Sequence, residues 1–109
     1  MKFHKKYTKR LERSLNNLAG LIGIARKAGF VIIGGENLVG YTKKLYLVLI
    51  DKSAGNSLKR EMNFLSQKRN IELVEIENLT TLVGVDNCKA IGIKNKAFSE
   101  NILKNIKGE

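Results

Sequence analysis

The sequence predicts an α/β fold, a three-layer α-β-α sandwich around a small mixed, mostly four-stranded sheet. Segments with helical periodicity alternate with short apolar, strand-like segments, and this order implies a sheet with helices on both faces. Residues 45–50 form a continuous run of six apolar residues, which predicts a strand covered on both faces. The alternation also predicts that the strands run mostly parallel.

The first half of the chain reads as helix, strand, helix and strand. A helix over residues 9–28, ended by Gly29, is predicted by apolar residues spaced by three and four: Leu11, Leu15, Leu18, Ile22 and Ala25. The β-branched residues 31–33 predict a short strand. A helix over residues 36–44 follows, with Lys43 and Lys44 in the last turn, where the helix dipole favours bases.

The second half continues the alternation. We expect a loop over 51–56 and then a helix over 57–69, capped by Ser57 and stopped by Asn70. A strand over 71–76 and a short helix over 79–83 follow, the helix capped by Asn78 and ended by Gly84. The chain then forms a strand over 89–93 and a last helix over 97–106. Cys88 adjoins the last strand and is expected to be a small buried side chain.

Charge is the main global clue to function. The 109 residues contain 20 Lys and Arg against 10 Asp and Glu, a net charge of +10, which favours nucleic acid first and a membrane surface or an acidic protein second. Residues 1–13 hold six bases and one acid. We interpret residues 1–8 as a basic flexible tail and residues 9–109 as a single domain, because this length supports one core.

Few residues could support catalysis. His4 is the single histidine and Cys88 the single cysteine, and neither belongs to a nucleophile–base or metal-ligand pattern. We therefore expect no enzyme, no cofactor and no metal. No apolar run approaches the ~20 residues of a membrane span, and no secretory signal is present. These features predict a cytoplasmic protein that does not bind a membrane.

The most informative stretch is Gly34-Gly35-Glu36-Asn37, between a predicted strand and a predicted helix. Two glycines let the backbone adopt positive φ and let a ligand approach closely. The following helix would offer unpaired N–H groups to an anion. Glu36 and Asn37 are placed to contact polar base edges, whereas in an ordinary turn Asn37 would only cap the helix.

The chain resembles the ribosomal protein L-seven-Ae/L-thirty-e superfamily, and most closely its bacterial YlxQ-like branch. The resemblance covers residues 18–103 and rests on four stretches in order: residues 18–29 (LAGLIGIARKAG), 35–39 (GENLV), 47–50 (LVLI) with the loop that follows, and 90–93 (AIGI) followed by Phe98. It implies an α-β-α sandwich that binds kink-turn RNA. In such proteins a Gly-x-Asn turn enters the major groove at sheared G·A pairs, and an apolar loop holds a flipped-out nucleotide.

The resemblance implies a set of RNA-binding residues: Gly34, Gly35, Glu36, Asn37, Tyr41, Lys43, Lys44, Leu82, Val83, Gly84 and Val85. The turn is Gly35-Glu36-Asn37, although an ungapped register would place Gly34 and Glu36 in the motif instead. The apolar loop is residues 79–84, in which Val83 is expected to face a base. Three positions depart from the pattern: Leu38, Tyr41 and Thr80. Because Tyr41 replaces a lysine, Lys43 or Lys44 would supply its charge.

We therefore expect a noncatalytic protein that binds structured RNA such as a kink-turn, with ribosomal RNA and the ribosome as partners, and that is a monomer when free. The alternative is a basic module that binds an acidic protein and uses the turn only structurally. A third hypothesis is the substrate-binding fragment of an RNA-modifying enzyme. Affinity for RNA measured across salt concentrations separates the first hypothesis from the second.

Overall fold

The computed structural model describes residues 17–108. In chain order the elements are α1 (described over residues 17–27), β1 (Val31–Ile33), α2 (Gly35–Gly40), β2 (Leu47–Asp51), α3 (Asn56–Arg69), β3 (Glu72–Ile76), α4 (Leu79–Val83), β4 (Ala90–Ile93) and α5 (Lys96–Lys107). The basic tail, His4 and the predicted start of the first helix lie outside the described residues. None of the helices described has the length and apolar content that crossing a bilayer requires.

The four strands form one mixed sheet in the order β1-β4-β2-β3. β2 pairs with β3 in parallel, whereas β4 is antiparallel to both β1 and β2. We call the end at which β1, β2 and β3 finish the carboxyl end of the sheet, and the end at which they begin the amino end. The predicted sandwich with a mixed sheet is confirmed.

The expectation of mostly parallel strands is wrong for two of the three pairings. β1, β2 and β3 run in one direction, but β4 runs oppositely and lies between β1 and β2. β3 finishes at the carboxyl end, and β4 begins at that same end, since Ala90 pairs with Ile50. The connection between them is residues 77–89, which include the five-residue helix α4.

Two apolar clusters lie on the two faces of the sheet. α1, α4 and α5 cover one face, and α2 and α3 cover the other. Along β2, Leu47 and Leu49 enter the first cluster while Val48 and Ile50 enter the second. All four are at most 1% exposed, so the prediction that this apolar run is covered on both faces is confirmed.

Left-handed residues end three helices where the sequence predicted stops. Gly29 has φ +80°, Asn70 has φ +54° and Gly84 has φ +78°. Glycine adopts this region without a Cβ penalty, and asparagine is the side-chain residue that tolerates it best. Cys88 is 4% exposed, as predicted, and burial raises the pKa of its thiol.

Several other predicted boundaries are wrong. β2 covers Leu47–Asp51 rather than residues 45–50, and the helices α2 and α3 also differ. α2 ends at Gly40 rather than at Lys44, since glycine is a weak helix former and the backbone is already extended at Tyr41. Lys43 and Lys44 therefore lie beyond the helix. α3 is capped by the backbone of Gly55 rather than by Ser57, and no side chain bonds to its first turn.

Candidate nucleic-acid interface

The turn between β1 and α2 depends on Gly34. This residue has φ +95° and ψ +140°, a conformation that side-chain residues rarely adopt. Its N–H donates to the Ala90 carbonyl at 2.9 Å, and its carbonyl accepts from the Leu38 N–H at 3.0 Å. The turn is thereby attached to the start of β4, at the carboxyl end of the sheet.

Gly35 and Gly92 allow α2 to lie close to its neighbours. A Cβ on Gly35 would lie 2.5 Å from Leu58 Cδ1 in α3, and a Cβ on Gly92 would overlap the Leu38 side chain. Leu38 is fully buried. α2 and the turn before it therefore pack closely on α3 and β4, and an added methyl group at Gly92 would have to displace a fully buried side chain.

Asn37 does not cap α2. Its Nδ2 donates to the Ile33 carbonyl at 2.7 Å, and α2 has no side-chain cap. The bond holds the amide against the last residue of β1, and it uses only one of the two Nδ2 hydrogens. Asn37 and Glu36 are both exposed. A ligand at the turn could therefore reach the amide oxygen and the second hydrogen of Asn37.

The second predicted element, the apolar loop at residues 79–84, forms α4 and its C-cap Gly84 and lies at the same end of the sheet. Residues 84–89 lead directly into Ala90, to which Gly34 is bonded. Val83 is 5% exposed and belongs to the core, so the expectation that it faces a base is wrong. Leu82 and Val85 are half-buried and provide the apolar surface that Val83 does not.

Arg26 joins α1 to this loop. Its Nη1 donates to the Val83 carbonyl at 3.0 Å, at the end of α4 where backbone carbonyls lack helical partners. The two residues are distant in sequence, and no local pattern pointed to this contact. The guanidinium adds a positive charge beside Gly84, where an added Cβ would lie 4.0 Å from Arg26 Nη1.

Asp51 joins three segments at the carboxyl end and was placed only in a loop by the sequence analysis. It is 5% exposed. Its Oδ1 accepts from the Leu79 N–H at 3.0 Å, and its Oδ2 accepts from the Ser53 N–H at 2.9 Å and from the Ser53 hydroxyl. Lys89 Nζ lies 3.7 Å from Oδ2. The Ser53 hydroxyl, followed by the Leu79 N–H, lowers the pKa of Asp51 to about 2 against the opposing effect of burial.

Asp51 thereby replaces the predicted cap of α4. Asn78 precedes α4 but has φ +59° and makes no side-chain cap bond. The first N–H of the helix instead donates to the Asp51 carboxylate at the end of β2. The available sequence signal was an acid directly after a buried apolar run.

Tyr41, Lys43 and Lys44 lie at the amino end of the sheet and not beside the turn. Arg69, the last residue of α3, donates from Nη1 to the Tyr41 carbonyl at 2.6 Å and from Nη2 to the Lys43 carbonyl at 2.5 Å. Tyr46 and Ile93 are hydrogen-bonded at this same end. The structure therefore places residues 34–37 and residues 82–85 at the carboxyl end of the sheet and the predicted lysines at the amino end.

Residues 17–108 bring together no group of three or more His, Cys, Asp or Glu side chains that could hold a metal ion. Charged side chains at the carboxyl end instead pair with one another. Lys89 contacts Asp51, Lys52 lies 3.5 Å from Glu77, and Lys59 lies 3.2 Å from Glu75.

No family model and no curated protein matches the chain. Solved structures with the same fold do match. A protein of unknown function from Bacillus halodurans has a TM-score of 0.75 and 23% identity, over 83% of this chain and 96% of that chain. A 15.5kD RNA binding protein from Giardia lamblia has a TM-score of 0.59 and 19% identity, over 89% of this chain and 87% of that chain. At these identities the likenesses establish the fold.

Proposed function

We propose that this chain is a noncatalytic RNA-binding protein of the L-seven-Ae/L-thirty-e superfamily, in its YlxQ-like branch. We further propose that it acts in the cytoplasm on structured RNA of the kink-turn kind, as a ribosomal or ribosome-associated monomer. The fold shared with an RNA binding protein from Giardia lamblia and the net charge of +10 support this proposal.

The Asn37 amide is the observation that carries the proposal. It is exposed at the turn and held by the Ile33 carbonyl. A primary amide can donate and accept at one base edge, as in asparagine contacts with adenine. Because the amide is already oriented, little side-chain freedom remains to be lost on binding. Half-buried Leu82 and Val85 give the same end an apolar surface for an unstacked base.

The expected ligand follows from RNA geometry. The major groove of a regular RNA duplex is too narrow for side chains, whereas loops and bulges expose base edges. An end of the sheet that presents one amide and an apolar surface suits a kinked internal loop better than a plain duplex. The α2 helix has six residues, so we assign the selectivity to the side chains rather than to the helix dipole.

The test compares a kinked internal-loop RNA with a matched duplex, each titrated at two salt concentrations. Wild type is expected to prefer the kinked RNA. Asn37→Ala should reduce this preference, since losing a base-edge contact costs about 1–3 kcal/mol. Asn101→Ala is the control, because Asn101 is exposed on α5. Thermal unfolding of each variant shows whether the turn still folds.

Two results would contradict the proposal. One is equal binding of both RNAs by wild type. The other is an equal loss for both RNAs in Asn37→Ala, which would mean that Asn37 only supports Ile33. A wild type with no affinity for RNA at any salt concentration would favour the alternative, an acidic protein partner.

A further inference from the structure

Acidic side chains neutralise basic side chains to different extents at the two ends of the sheet. The three ion pairs among residues 17–108 all involve residues near the carboxyl end: Lys52 with Glu77, Lys59 with Glu75 and Lys89 with Asp51. Glu75 and Asp51 lie in the last two residues of their strands, and Lys59 lies in the first turn of α3. Part of the positive charge beside the turn is therefore already compensated.

The amino end carries a lysine surface, which we define as Lys43, Lys44, Lys94, Tyr41 and Tyr46. Within the described part of the chain, none of its three lysines forms an ion pair. Exposed Glu72 begins β3 at the same end but pairs with none of them. Lys44 Nζ lies 5.2 Å from the Tyr46 ring centroid, and Lys94 Nζ lies 5.7 Å from that of Tyr41.

These ring contacts orient the ammonium groups without cancelling their charge. A cation within about 6 Å of an aromatic face is attracted by the ring quadrupole, but the ring has no net charge. The lysines are thus partly ordered and still able to bind an anion.

Arg69 fixes the backbone that presents Lys43 and Lys44. Its guanidinium spans two carbonyls of this loop, those of Tyr41 and Lys43, at 2.6 and 2.5 Å. Both acceptors are uncharged, so the arginine adds positive charge to the surface as well as order. An ordered loop loses less conformational freedom when a ligand binds.

We infer that the lysine surface binds the phosphate backbone of a second RNA segment, so that the protein bridges two segments. This inference rests on the proposed function, which places RNA at the carboxyl end. The five residues of β2 separate the two ends by about 17 Å, so one phosphate cannot contact both. Because lysines bind phosphates as point charges, this second contact is independent of base sequence.

The first experiment titrates a plain RNA duplex across salt concentrations. Lys43→Gln with Lys44→Gln should flatten the dependence of log K on log salt by about 1.4–1.8, the value for two lost phosphate contacts. Lys104→Gln with Lys107→Gln is the control, since it removes the same charge from the last turn of α5. The control should keep a slope close to that of wild type. Equal effects of the two double variants would show a net-charge effect alone and would overturn the inference.

The second experiment adds a labelled duplex to protein saturated with kinked RNA. Wild type should form a ternary complex, and Lys43→Gln with Lys44→Gln should lose the duplex while retaining the kinked RNA. Complete displacement of the duplex by kinked RNA would overturn the bridge. If Asn37→Ala abolishes the preference for kinked RNA while the lysine variant changes nothing, the proposed function stands and the second surface is wrong. Absence of RNA binding by wild type would refute both.

Discussion

Replacing Asp51 tests whether one buried carboxylate joins β2, the loop after it and α4. In Asp51→Ala, the Leu79 N–H loses its acceptor in a site where Leu79 is fully buried, and an unsatisfied buried donor costs about 1–3 kcal/mol. The two bonds from Ser53 contribute about 1 kcal/mol more. We therefore expect a loss of about 2–4 kcal/mol, a large part of the ~5–15 kcal/mol that stabilises a typical domain.

Asp51→Asn separates charge from shape. The amide oxygen can still accept from Leu79, but the amide nitrogen would face the Ser53 N–H and the Lys89 ammonium, which are donors. We expect about half the loss seen with alanine. Asp86→Asn, in the exposed part of residues 84–89, is the control and should leave stability within about 0.5 kcal/mol.

The pH dependence follows from the sign of the pKa shift. The pKa of Asp51 is lowered from 3.8 to about 2 in the folded protein, so the folded state favours the ionised form. The stabilisation from ionised Asp51 is complete above pH 4 and is lost as the pH falls from about 4 to about 2. The stability difference between wild type and Asp51→Asn should therefore shrink across this window.

Urea unfolding followed by far-ultraviolet circular dichroism, at pH 7 and at intervals down to pH 2, measures both effects. The comparison between proteins removes the general acid destabilisation that wild type and variant share. If Asp51→Ala is as stable as wild type, Asp51 does not act as the cap of α4. If the difference in free energy of unfolding between wild type and Asp51→Asn stays constant down to pH 2, the stabilisation does not come from ionised Asp51.

Two further stability predictions come from backbone geometry. Gly92→Ala should cost about 1–3 kcal/mol in urea unfolding by overpacking against Leu38, whereas Gly20→Ala, which meets nothing within 4 Å, should stabilise the protein by about 0.5–1 kcal/mol; equal effects would mean that α2 is not tightly packed. Asn78→Ser should cost about 1 kcal/mol because serine tolerates the left-handed conformation poorly, while Asn78→Gly should be close to neutral. A neutral serine variant would indicate that Asn78 does act as a cap.

The candidate site was predictable where local chemistry decided it. The Gly34-Gly35 pair after a β-branched run indicated a turn that needs positive φ, and Gly34 has it. The identity of the residues in the apolar loop was also predictable, but their exposure was not. Val83 is buried because the face of α4 that carries it packs against the sheet. A five-residue helix is too short for its sequence pattern to show which face is buried.

The sequence by itself determined the layers of this protein. Helical and strand-like periodicities indicate which side chains must leave water, and the apolar run at residues 45–50 predicted the interior strand that the structure has at Leu47–Asp51. Gly29, Asn70 and Gly84 end their helices through their own conformational preferences, which act over one or two residues. These features depend on neighbours along the chain, so the sequence contains them directly.

Only the tertiary structure decided the strand order and which residues lie at each end of the sheet. β4 lies between β1 and β2 because its backbone pairs with strands about 40 and 60 residues earlier, and hydrogen bonds to backbone carry no side-chain pattern. The same holds for Arg69 on the carbonyls of Tyr41 and Lys43, which keeps Lys43 and Lys44 at the amino end. Asp51 reaches Leu79 in the same way. Such contacts become possible only when the whole chain packs, since packing brings distant donors and acceptors within 3 Å.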